Sequence, residues 1–247
     1  MQIRTAFLPE LAGDVTDSVC IVIDVLRATT VIAVLFDRLA PLVYIAASHD
    51  AARSFARQHG CLLCGETDGY RVPDFDYGNS PIEFAKLEFS ARPLVVSTTN
   101  GTKAAAAVAA ARKVYLGATI NRSAVAAAAW QEANAADSDI VLVCSGTNGH
   151  YTLEDATAAG LFVEALISHA GPWTMPELDD ASITARRLWQ NEPNLLRGWM
   201  EGVHARTLAD RGFGEDVAYC AGIDHLDTVP TLVSEPAAAN APVLLIK

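Results

Sequence analysis

Short, unbroken runs of apolar and largely β-branched residues recur along the chain, at 19–25, 42–46, 93–97, 113–116 and 139–143. Unbroken runs, as opposed to alternating ones, are typical of strands that are buried on both faces of a sheet. Alanine-rich stretches of helical length separate them, at 28–39, 48–58, 102–111, 121–135 and 153–169. This alternation predicts an α/β fold, a three-layer α/β/α arrangement with a largely parallel sheet.

The stretch 171–200 departs from this rhythm, because it contains three Pro, three Trp and mixed charge. We expect residues 1–247 to form a single domain with an irregular excursion near 171–200, which could serve as a lid or an oligomer contact. A helix is expected near 201–211, followed by a short strand at 228–233 and a terminal apolar run. No internal repeat recurs at a fixed period.

Composition and charge narrow the class of protein. Hydrophobic residues make up 51% and charged residues 19%, which is typical of a globular chain. No apolar run reaches the roughly 20 residues that cross a bilayer, and no signal peptide is recognisable, so we expect a cytoplasmic protein. The net charge of −11, without a Lys/Arg cluster, argues against nucleic acid and membrane surfaces as partners. The sequence leaves open whether the protein forms a homo-oligomer.

Five cysteines form an odd and sparse set, which indicates reduced thiols and not a disulfide framework. Cys61 and Cys64 form a C-L-L-C pair but lack the second pair of a zinc site, so we interpret them as structural. Cys144 ends an apolar run. A cysteine phosphatase needs an Arg six residues after its nucleophile, and His150 stands there, so Cys144 is interpreted as a packing residue.

In a parallel α/β sheet, ligands bind at the carboxyl ends of the strands. Asp24 ends the first apolar run, and Arg27, Thr29 and Thr30 begin the following helix. A guanidinium holds an oxyanion through two hydrogen bonds, and Asp24 can bind a metal or attack phosphorus. The alternative is a structural Asp24–Arg27 pair that caps the helix. On this stretch alone, the two interpretations are equally supported.

Two further loops carry polar residues after apolar runs. In 65–84, Ser80 and Pro81 are typical of an N-cap and a first helical position, and such a helix start exposes N–H groups to an anion. Glu66 and Asn79 are not needed for that cap and are therefore candidates for function. The loop 97–105 (STTNGTKAA) offers hydroxyl and amide donors beside a glycine that permits close backbone approach. Neither a P-loop nor a G-x-G-x-x-G pattern is present.

The loop 144–160 (CSGTNGHYTLEDATAAG) turns at Ser145 and Gly146 and places Glu154 and Asp155 in the first turn of a helix. Carboxylates are favourable there without any function, and adjacent helix positions do not easily face one point. Carboxylates at these loop positions, with few His, suit Mg²⁺ better than Zn²⁺. Mg²⁺ together with Arg and backbone N–H groups is typical of phosphoryl transfer. The sequence therefore predicts a metal-assisted phosphate site.

These same stretches resemble the 2-phosphosulfolactate phosphatase (ComB-type) family. The matching pieces are VIDVLRATT (22–30), GE (65–66) followed by GNSP (78–81), TTNGT (98–102), CSG (144–146) with ED (154–155), and RGFGEDVAYCAGIDHLDTVP (211–230). The resemblance implies a ComB-like α/β fold and a Mg²⁺-dependent phosphatase. It implies a small anionic phosphorylated substrate, a 2-phospho-2-hydroxy acid, from which sulfolactate is released in the route to coenzyme M.

Carried over position by position, the resemblance implies the site residues Asp24, Arg27, Glu66, Asn79, Thr99, Asn100, Gly101, Ser145, Glu154, Asp155 and Asp224. We predict catalytic roles for Asp24 and Arg27. The predicted metal ligands are Asp24, Glu66, Glu154, Asp155 and Asp224. The predicted substrate-binding residues are Thr29, Thr30, Asn79, Ser80, Thr99, Asn100, Gly101, Thr102, Ser145 and Gly146.

Three other functions are compatible with parts of this pattern. A haloacid dehalogenase-type phosphatase also uses an Asp at a strand end, but it needs D-x-D-x-T where this chain has D-V-L-R. A non-enzymatic phosphometabolite-binding protein needs the anion-binding loops without a carboxylate cluster. A phosphatase of a different small phosphorylated acid needs the same metal and phosphate site, with a different pocket for the rest of the acid. Mg²⁺-dependent phosphate release separates the binding protein from the enzymes.

Overall fold

The fold is built from short strands and helices that alternate along the chain. It is taken from a computed structural model that describes residues 1–98, 100–171, 175–233 and 243–247. The strands are β1 (Gln2–Ala6), β2 (Val19–Ile23), β3 (Val43–Ala46), β4 (Leu62–Thr67), β5 (Tyr70–Arg71), β6 (Leu94–Ser97), β7 (Lys113–Gly117), β8 (Ile140–Cys144), β9 (Glu177–Leu178) and β10 (Val243–Ile246). The α-helices are α1 (Ala28–Asp37), α2 (His49–His59), α3 (Pro81–Phe84), α4 (Asn100–Ala107), α5 (Arg122–Ala136), α6 (Leu153–Ser168), α7 (Asp180–Asn191), α8 (Leu195–Trp199), α9 (Val203–Leu208) and α10 (Gly214–Cys220).

Each of the five apolar runs forms a strand and each alanine-rich stretch contains a helix, so the predicted α/β class is confirmed. β2 and β8 are buried along their whole length, as expected for strands covered on both faces. Helices α1, α4, α5 and α6 pack against these strands and their neighbours, consistent with the three-layer arrangement. The ends of α2 follow standard capping chemistry, since Ser48 accepts a hydrogen bond from the Ala51 N–H and Gly60 ends the helix at φ 67°.

The strands are divided between two sheets. The first is wholly parallel, in the order β7-β2-β8-β1-β9. In its register Ile23 of β2 lies between Gly117 of β7 and Cys144 of β8, so the loops after these strands start side by side. The second sheet has the order β10-β3-β6-β4-β5, with β3, β6 and β4 parallel and the two edge strands antiparallel.

Residues 230–233 connect the two sheets. The Leu232 N–H donates to Val114 of β7, and the Val233 N–H donates to Leu245 of β10, each at 2.9 Å. The predicted strand at 228–233 is therefore limited to isolated bridges, of which Tyr115–Thr231 and Leu232–Ile246 are examples. The terminal apolar run forms β10, as expected.

The described residues of the stretch 171–200, in which the sequence predicts an irregular excursion, include β9, α7 and α8. β9 pairs with β1, and α7 packs against α6 so closely that a Cβ on Gly160 would lie 2.0 Å from the Ala185 carbonyl oxygen. Trp199 at the end of α8 is fully buried. Trp189 packs against the core, and Pro193 lies between α7 and α8. Residues 172–174 lie outside the described ranges. That residues 1–247 form a single domain stays a prediction.

The cysteines occupy the interior of the protein. All five are buried and free. Within the described ranges, no helix combines the length and the apolar character needed to pass through a bilayer.

Candidate active site

A cavity of about 780 Å³ lies where the carboxyl ends of strands from both sheets meet. Asp24 follows β2 and Thr98 follows β6, while His49 begins the helix after β3 and Glu66 lies near the end of β4. Residues from the loop after β8 and from α9 complete the wall. This is the position at which open α/β sheets bind their ligands.

Arg27 is held at the cavity wall from three directions. Its Nη1 donates to Asp216 Oδ2 at 2.5 Å, and its Nη2 donates to the Gly69 carbonyl at 3.0 Å. The ring of Phe213 lies 4.4 Å from the guanidinium carbon, within cation–π range. The ion-pair partner of Arg27 is thus Asp216 of α10, so the alternative of an Asp24–Arg27 cap is not what the structure shows.

Asp24 is buried and faces the cavity. Its Oδ1 accepts a hydrogen bond from the Ala28 N–H at 3.3 Å, which supports the start of α1. Burial raises the pKa of Asp24 to about 6; the Ala28 hydrogen bond and His204 lower it, and the charges of Glu154 and Glu66 add to the rise. A buried carboxylate with this pKa is one whose negative charge lacks compensation in the protein alone.

The buried Glu154 pairs with the partly exposed His204 beside Asp24. Glu154 Oε1 lies 2.7 Å from His204 Nδ1, while Glu154 Oε2 is buried without a hydrogen-bond partner among the described residues. Burial lowers the pKa of His204, but the hydrogen bond and charge of Glu154, with a contribution from Asp24, raise it above its ordinary value overall. An unpartnered buried carboxylate oxygen at a cavity wall fits a ligand that donates or coordinates there.

The turn between β4 and β5 joins Glu66 to Arg27. Glu66 Oε2 accepts a hydrogen bond from the Gly69 N–H at 2.5 Å, and the Gly69 carbonyl accepts one from Arg27. Gly69 has φ 91°, a conformation that favours glycine, and a Cβ there would lie 3.0 Å from the Phe213 ring. Glu66 lines the cavity, as predicted for a residue at that edge of the sheet.

Two predicted metal ligands lie elsewhere. Asp155 accepts hydrogen bonds from the Val25 and Gly146 N–H groups at 3.0 and 3.1 Å, so both of its oxygens hold the loops after β2 and β8 together. Burial and then the charges of Asp24 and Glu154 raise the pKa of Asp155 well above its usual range. Neither Asp155 nor Asp224 is among the described residues that line the cavity.

Asp224 instead caps α5. It pairs with Arg122 and accepts a hydrogen bond from the Ser123 N–H at 2.7 Å. Burial alone would raise the pKa of Asp224, but the hydrogen bonds from Ser123 and Arg122 outweigh it and lower the pKa. The prediction of Asp224 as a metal ligand at the cavity, which followed from the family resemblance, therefore differs from its position in the structure.

Of the predicted substrate-binding residues, Asn79 and Asn100 line the cavity. Asn79 Oδ1 is buried without a hydrogen-bond partner among the described residues. Gly101 packs against the catalytic candidate, since a Cβ there would lie 3.0 Å from both Asp24 Oδ2 and Ala28 Cβ. Thr99 lies outside the described residues.

The remaining members of that set lie behind the wall. Thr29, Thr30 and Thr102 donate their hydroxyls to the backbone carbonyls of Asp24, Val25 and Ala46. Ser80 is the N-cap of α3 and donates to Asp216, while Gly146 has φ 61° and donates to Asp155. Ser145 is buried, and its hydroxyl has no partner among the described residues. Apart from Ser145, these residues bind other groups of the protein and thereby fix the loops.

Sequence reasoning did not identify His49, His204, Arg211 or Asp216. The first three line the cavity, and Asp216 anchors Arg27. The tail stretch 211–230 was part of the family resemblance, which could have pointed to Arg211 and Asp216. His204 lies on α9, and a lone His on a helix offers no spacing signal.

The charges around the cavity fit a divalent cation. The carboxylates of Asp24, Glu66 and Glu154 are at the wall, while the charge of Arg27 is compensated by Asp216. In the part of the chain that the structure describes, no three His, Cys, Asp or Glu side chains converge closely enough to hold a metal ion by themselves. This arrangement fits Mg²⁺, which commonly binds through one or two carboxylates and completes its shell with water and substrate oxygens.

Cys144 has the surroundings of a packing residue. It is buried, and burial raises the pKa of its thiol well above the usual range, with the charges of Asp155 and Glu154 adding to the rise. A thiolate nucleophile needs the opposite environment.

The metal-free protein is expected to lose stability as the pH rises from about 4 to about 6. The native pKa of Asp24, about 6, lies above its ordinary value of 3.8, so the folded state holds this proton more tightly than the unfolded state. Protonated Asp24 therefore contributes on the order of 2 to 3 kcal/mol to the free energy of unfolding below about pH 4, and this contribution is lost as the pH rises through 6. Denaturant unfolding of the wild type and of Asp24→Asn, both in EDTA and over this pH range, measures this loss. The difference between the two proteins isolates Asp24, because Asp224 and other groups titrate in both. Equal pH slopes would contradict the assignment.

Comparison with known proteins finds a family and individual relatives that match most of this chain. The family described as "2-phosphosulpholactate phosphatase" matches residues 6–235. A protein of Carboxydothermus hydrogenoformans is 35% identical over 234 residues, covering 93% of this chain and 92% of the relative. One of Deinococcus radiodurans is 36% identical over 235 residues, covering 94% of each chain. Both are named "Probable 2-phosphosulfolactate phosphatase". The resemblance drawn from the sequence motifs is confirmed.

Proposed function

The chain belongs to the 2-phosphosulpholactate phosphatase family, and on this premise we propose that it hydrolyses the phosphate ester of a small 2-phospho-2-hydroxy acid with the help of Mg²⁺. As a member of this family it is a phosphoric monoester hydrolase. The proposed substrate is 2-phosphosulfolactate, and the products are sulfolactate and orthophosphate, a reaction of the coenzyme M biosynthesis type.

One observation carries the proposal: a rigidly held guanidinium shares a cavity with the buried carboxylate of Asp24, which has no ion-pair partner among the described residues. Arg27 is fixed by Asp216, Gly69 and Phe213, so its remaining N–H groups are oriented before substrate arrives. Preorganised donors of this kind stabilise the charge that develops on phosphoryl oxygens. Asn79 and Asn100 add neutral donors at the same wall.

The charge balance supports the metal. A phosphorylated acid brings several negative charges into a cavity whose wall already carries Asp24, Glu66 and Glu154. We assign Mg²⁺ to one or two of these carboxylates, with the unpartnered Glu154 Oε2 as the favoured ligand atom. When bound, Mg²⁺ supplies a Lewis acid that neutralises phosphoryl oxygens. Asp24 then serves either as a second metal ligand or as the nucleophile at phosphorus.

His204 and Glu154 shape the rest of the site. The pair keeps the imidazole oriented at the cavity wall, and the raised pKa of His204 favours its cationic form. A positive charge beside Asp24 favours an anionic ligand in the cavity. This offsets part of the repulsion that the wall carboxylates exert on the substrate.

A panel of phosphorylated 2-hydroxy acids tests the proposed function. Orthophosphate release is measured for 2-phosphosulfolactate, 2-phospholactate and 2-phosphoglycerate, with Mg²⁺ and with EDTA. We expect Mg²⁺-dependent release that is fastest for 2-phosphosulfolactate. Faster release from another acid would identify that acid as the substrate in place of 2-phosphosulfolactate. Binding of these acids without release of orthophosphate would indicate a phosphometabolite-binding protein.

A further inference from the structure

Asp216 lies outside the cavity wall but binds two of the loops that form it. It stands in the first turn of α10 and is almost completely buried. Its Oδ2 accepts the hydrogen bond from Arg27 Nη1 at 2.5 Å, and its Oδ1 accepts one from Ser80 Oγ at 2.6 Å. Ser80 directly follows Asn79, a residue of the wall. One carboxylate thus connects the loop after β2 with the loop before α3.

We infer that Asp216 is a positioning residue for phosphate binding: it fixes the Arg27 guanidinium and, through Ser80, the Asn79 amide in the orientation that receives the phosphoryl group. The inference rests on the proposed function of the same cavity. Asp216 acts through Arg27 and Ser80 and does not itself contact the substrate.

The physical argument starts from the flexibility of arginine. A free arginine side chain loses rotamer entropy whenever it binds, and that loss weakens its grip on a ligand. Arg27 is held in advance by a carboxylate of α10, a carbonyl of the β4–β5 turn and the Phe213 ring. Because the entropy loss then occurs on folding, binding of the phosphoryl group does not have to overcome it.

A purely structural role is the competing explanation, and it is weak on physical grounds. A buried ion pair gains little net stability, since both charges are removed from water. Ser80 satisfies its capping role by accepting from the Glu83 N–H at 3.2 Å, and that role does not require Asp216. Orientation of two substrate-facing groups explains both contacts together.

The central test is Asp216→Asn. The amide keeps the shape and a hydrogen bond to Ser80, but it lacks the negative charge that holds Arg27. We expect kcat/KM to fall by roughly 10- to 100-fold, with a matching rise in the dissociation constant of orthophosphate measured by calorimetry. In an Arg27→Ala background, the same change should have less than about a twofold further effect, because the residues act as a unit. Glu164→Gln is the matched control, since it neutralises a carboxylate paired with Arg186 between α6 and α7.

Ser80→Ala provides a second variant that keeps every charge, in case Asp216→Asn does not fold. It removes one anchor of Asp216, and we expect a three- to tenfold loss of kcat/KM. It also removes the N-cap of α3, so Asn194→Ala, which removes the N-cap of α8, controls for the lost cap.

The outcomes separate this inference from the proposed function. The positioning role is overturned if the wild-type protein is active and the kcat/KM of Asp216→Asn stays within twofold of the wild-type value. It is also overturned if the loss of kcat/KM in Asp216→Asn adds fully to the loss in Arg27→Ala. If the wild-type protein hydrolyses no phosphate ester, the proposed function fails. The orthophosphate affinities of wild type and Asp216→Asn then decide the inference, and equal affinities overturn it.

Discussion

Replacing Asp24 by Asn is expected to lower kcat/KM by roughly 10³-fold or more while the fold is retained. The amide preserves the shape and the acceptor for the Ala28 N–H, but it cannot carry the charge that a metal ion or an attack on phosphorus needs. Both proposed roles of Asp24 predict this loss. The pKa of about 6 shows that the ionised carboxylate is held in an unfavourable, buried environment. The metal-free variant should therefore be as stable as wild type at pH 7, or more stable.

Activity and thermal melting of the same preparation check this expectation. Asp37→Asn is the matched control, because Asp37 is the last residue of α1, the helix that follows Asp24, and pairs with Arg38 outside the cavity. It should stay within twofold of wild type in kcat/KM. An Asp24→Asn protein that keeps more than a tenth of wild-type activity, or that melts well below wild type, would assign Asp24 to structure.

Replacing Arg27 by Ala is the second change with a large expected effect, and it acts on both activity and stability. Loss of charge stabilisation at the phosphoryl oxygens should lower kcat/KM by about 10²- to 10³-fold. Removal of the guanidinium also leaves the Asp216 carboxylate buried without its partner, which typically costs about 3 to 5 kcal/mol of unfolding free energy. A lower melting temperature is therefore expected whether or not Arg27 is catalytic.

Arg27→Lys separates the two contributions. An ammonium group retains the charge beside Asp216, so most of the stability should return, but it lacks the planar fork that binds a phosphoryl group through two hydrogen bonds. We expect kcat/KM to stay at least about tenfold below wild type when normalised to folded protein. Arg186→Lys, at the α6–α7 ion pair, is the control. Wild-type turnover by the folded fraction of either Arg27 variant would contradict a role at the phosphate.

The elements that the sequence predicts well are those whose burial is complete. The apolar runs of β2 and β8 are covered on both faces, and such runs identify strands without further information. β1 escaped prediction because it alternates, with the partly exposed Gln2 and Arg4 on either side of the buried Ile3, and β9 is only two residues long. The division into two sheets depends on pairing between distant strands, which local pattern does not report.

The candidate site shows the same limit at the level of side chains. Strand-end reasoning located Asp24, Glu66 and Glu154, because carboxyl ends of parallel strands meet at one edge. It did not say where each side chain points. Glu154 and Asp155 are about 100° apart on α6, so one faces the cavity while the other binds two backbone amides.

The residues that escaped prediction approach from far along the chain. His204 and Asp216 lie about 180 residues beyond Asp24 and Arg27, on helices whose contact with the cavity is a property of tertiary packing. No spacing within either helix marks them as partners of the site. The structure is needed to bring a carboxylate of α10 to a guanidinium at the start of α1.

Mg²⁺-dependent release of orthophosphate from 2-phosphosulfolactate tests the central claim most directly. The wild-type protein is treated with EDTA, and release is followed as Mg²⁺ is added back in excess over the chelator. The account predicts no release in EDTA and full recovery with Mg²⁺, because the carboxylates of the cavity wall otherwise repel an anionic substrate. Release at the full rate in excess chelator, or none at any Mg²⁺ concentration, would contradict it.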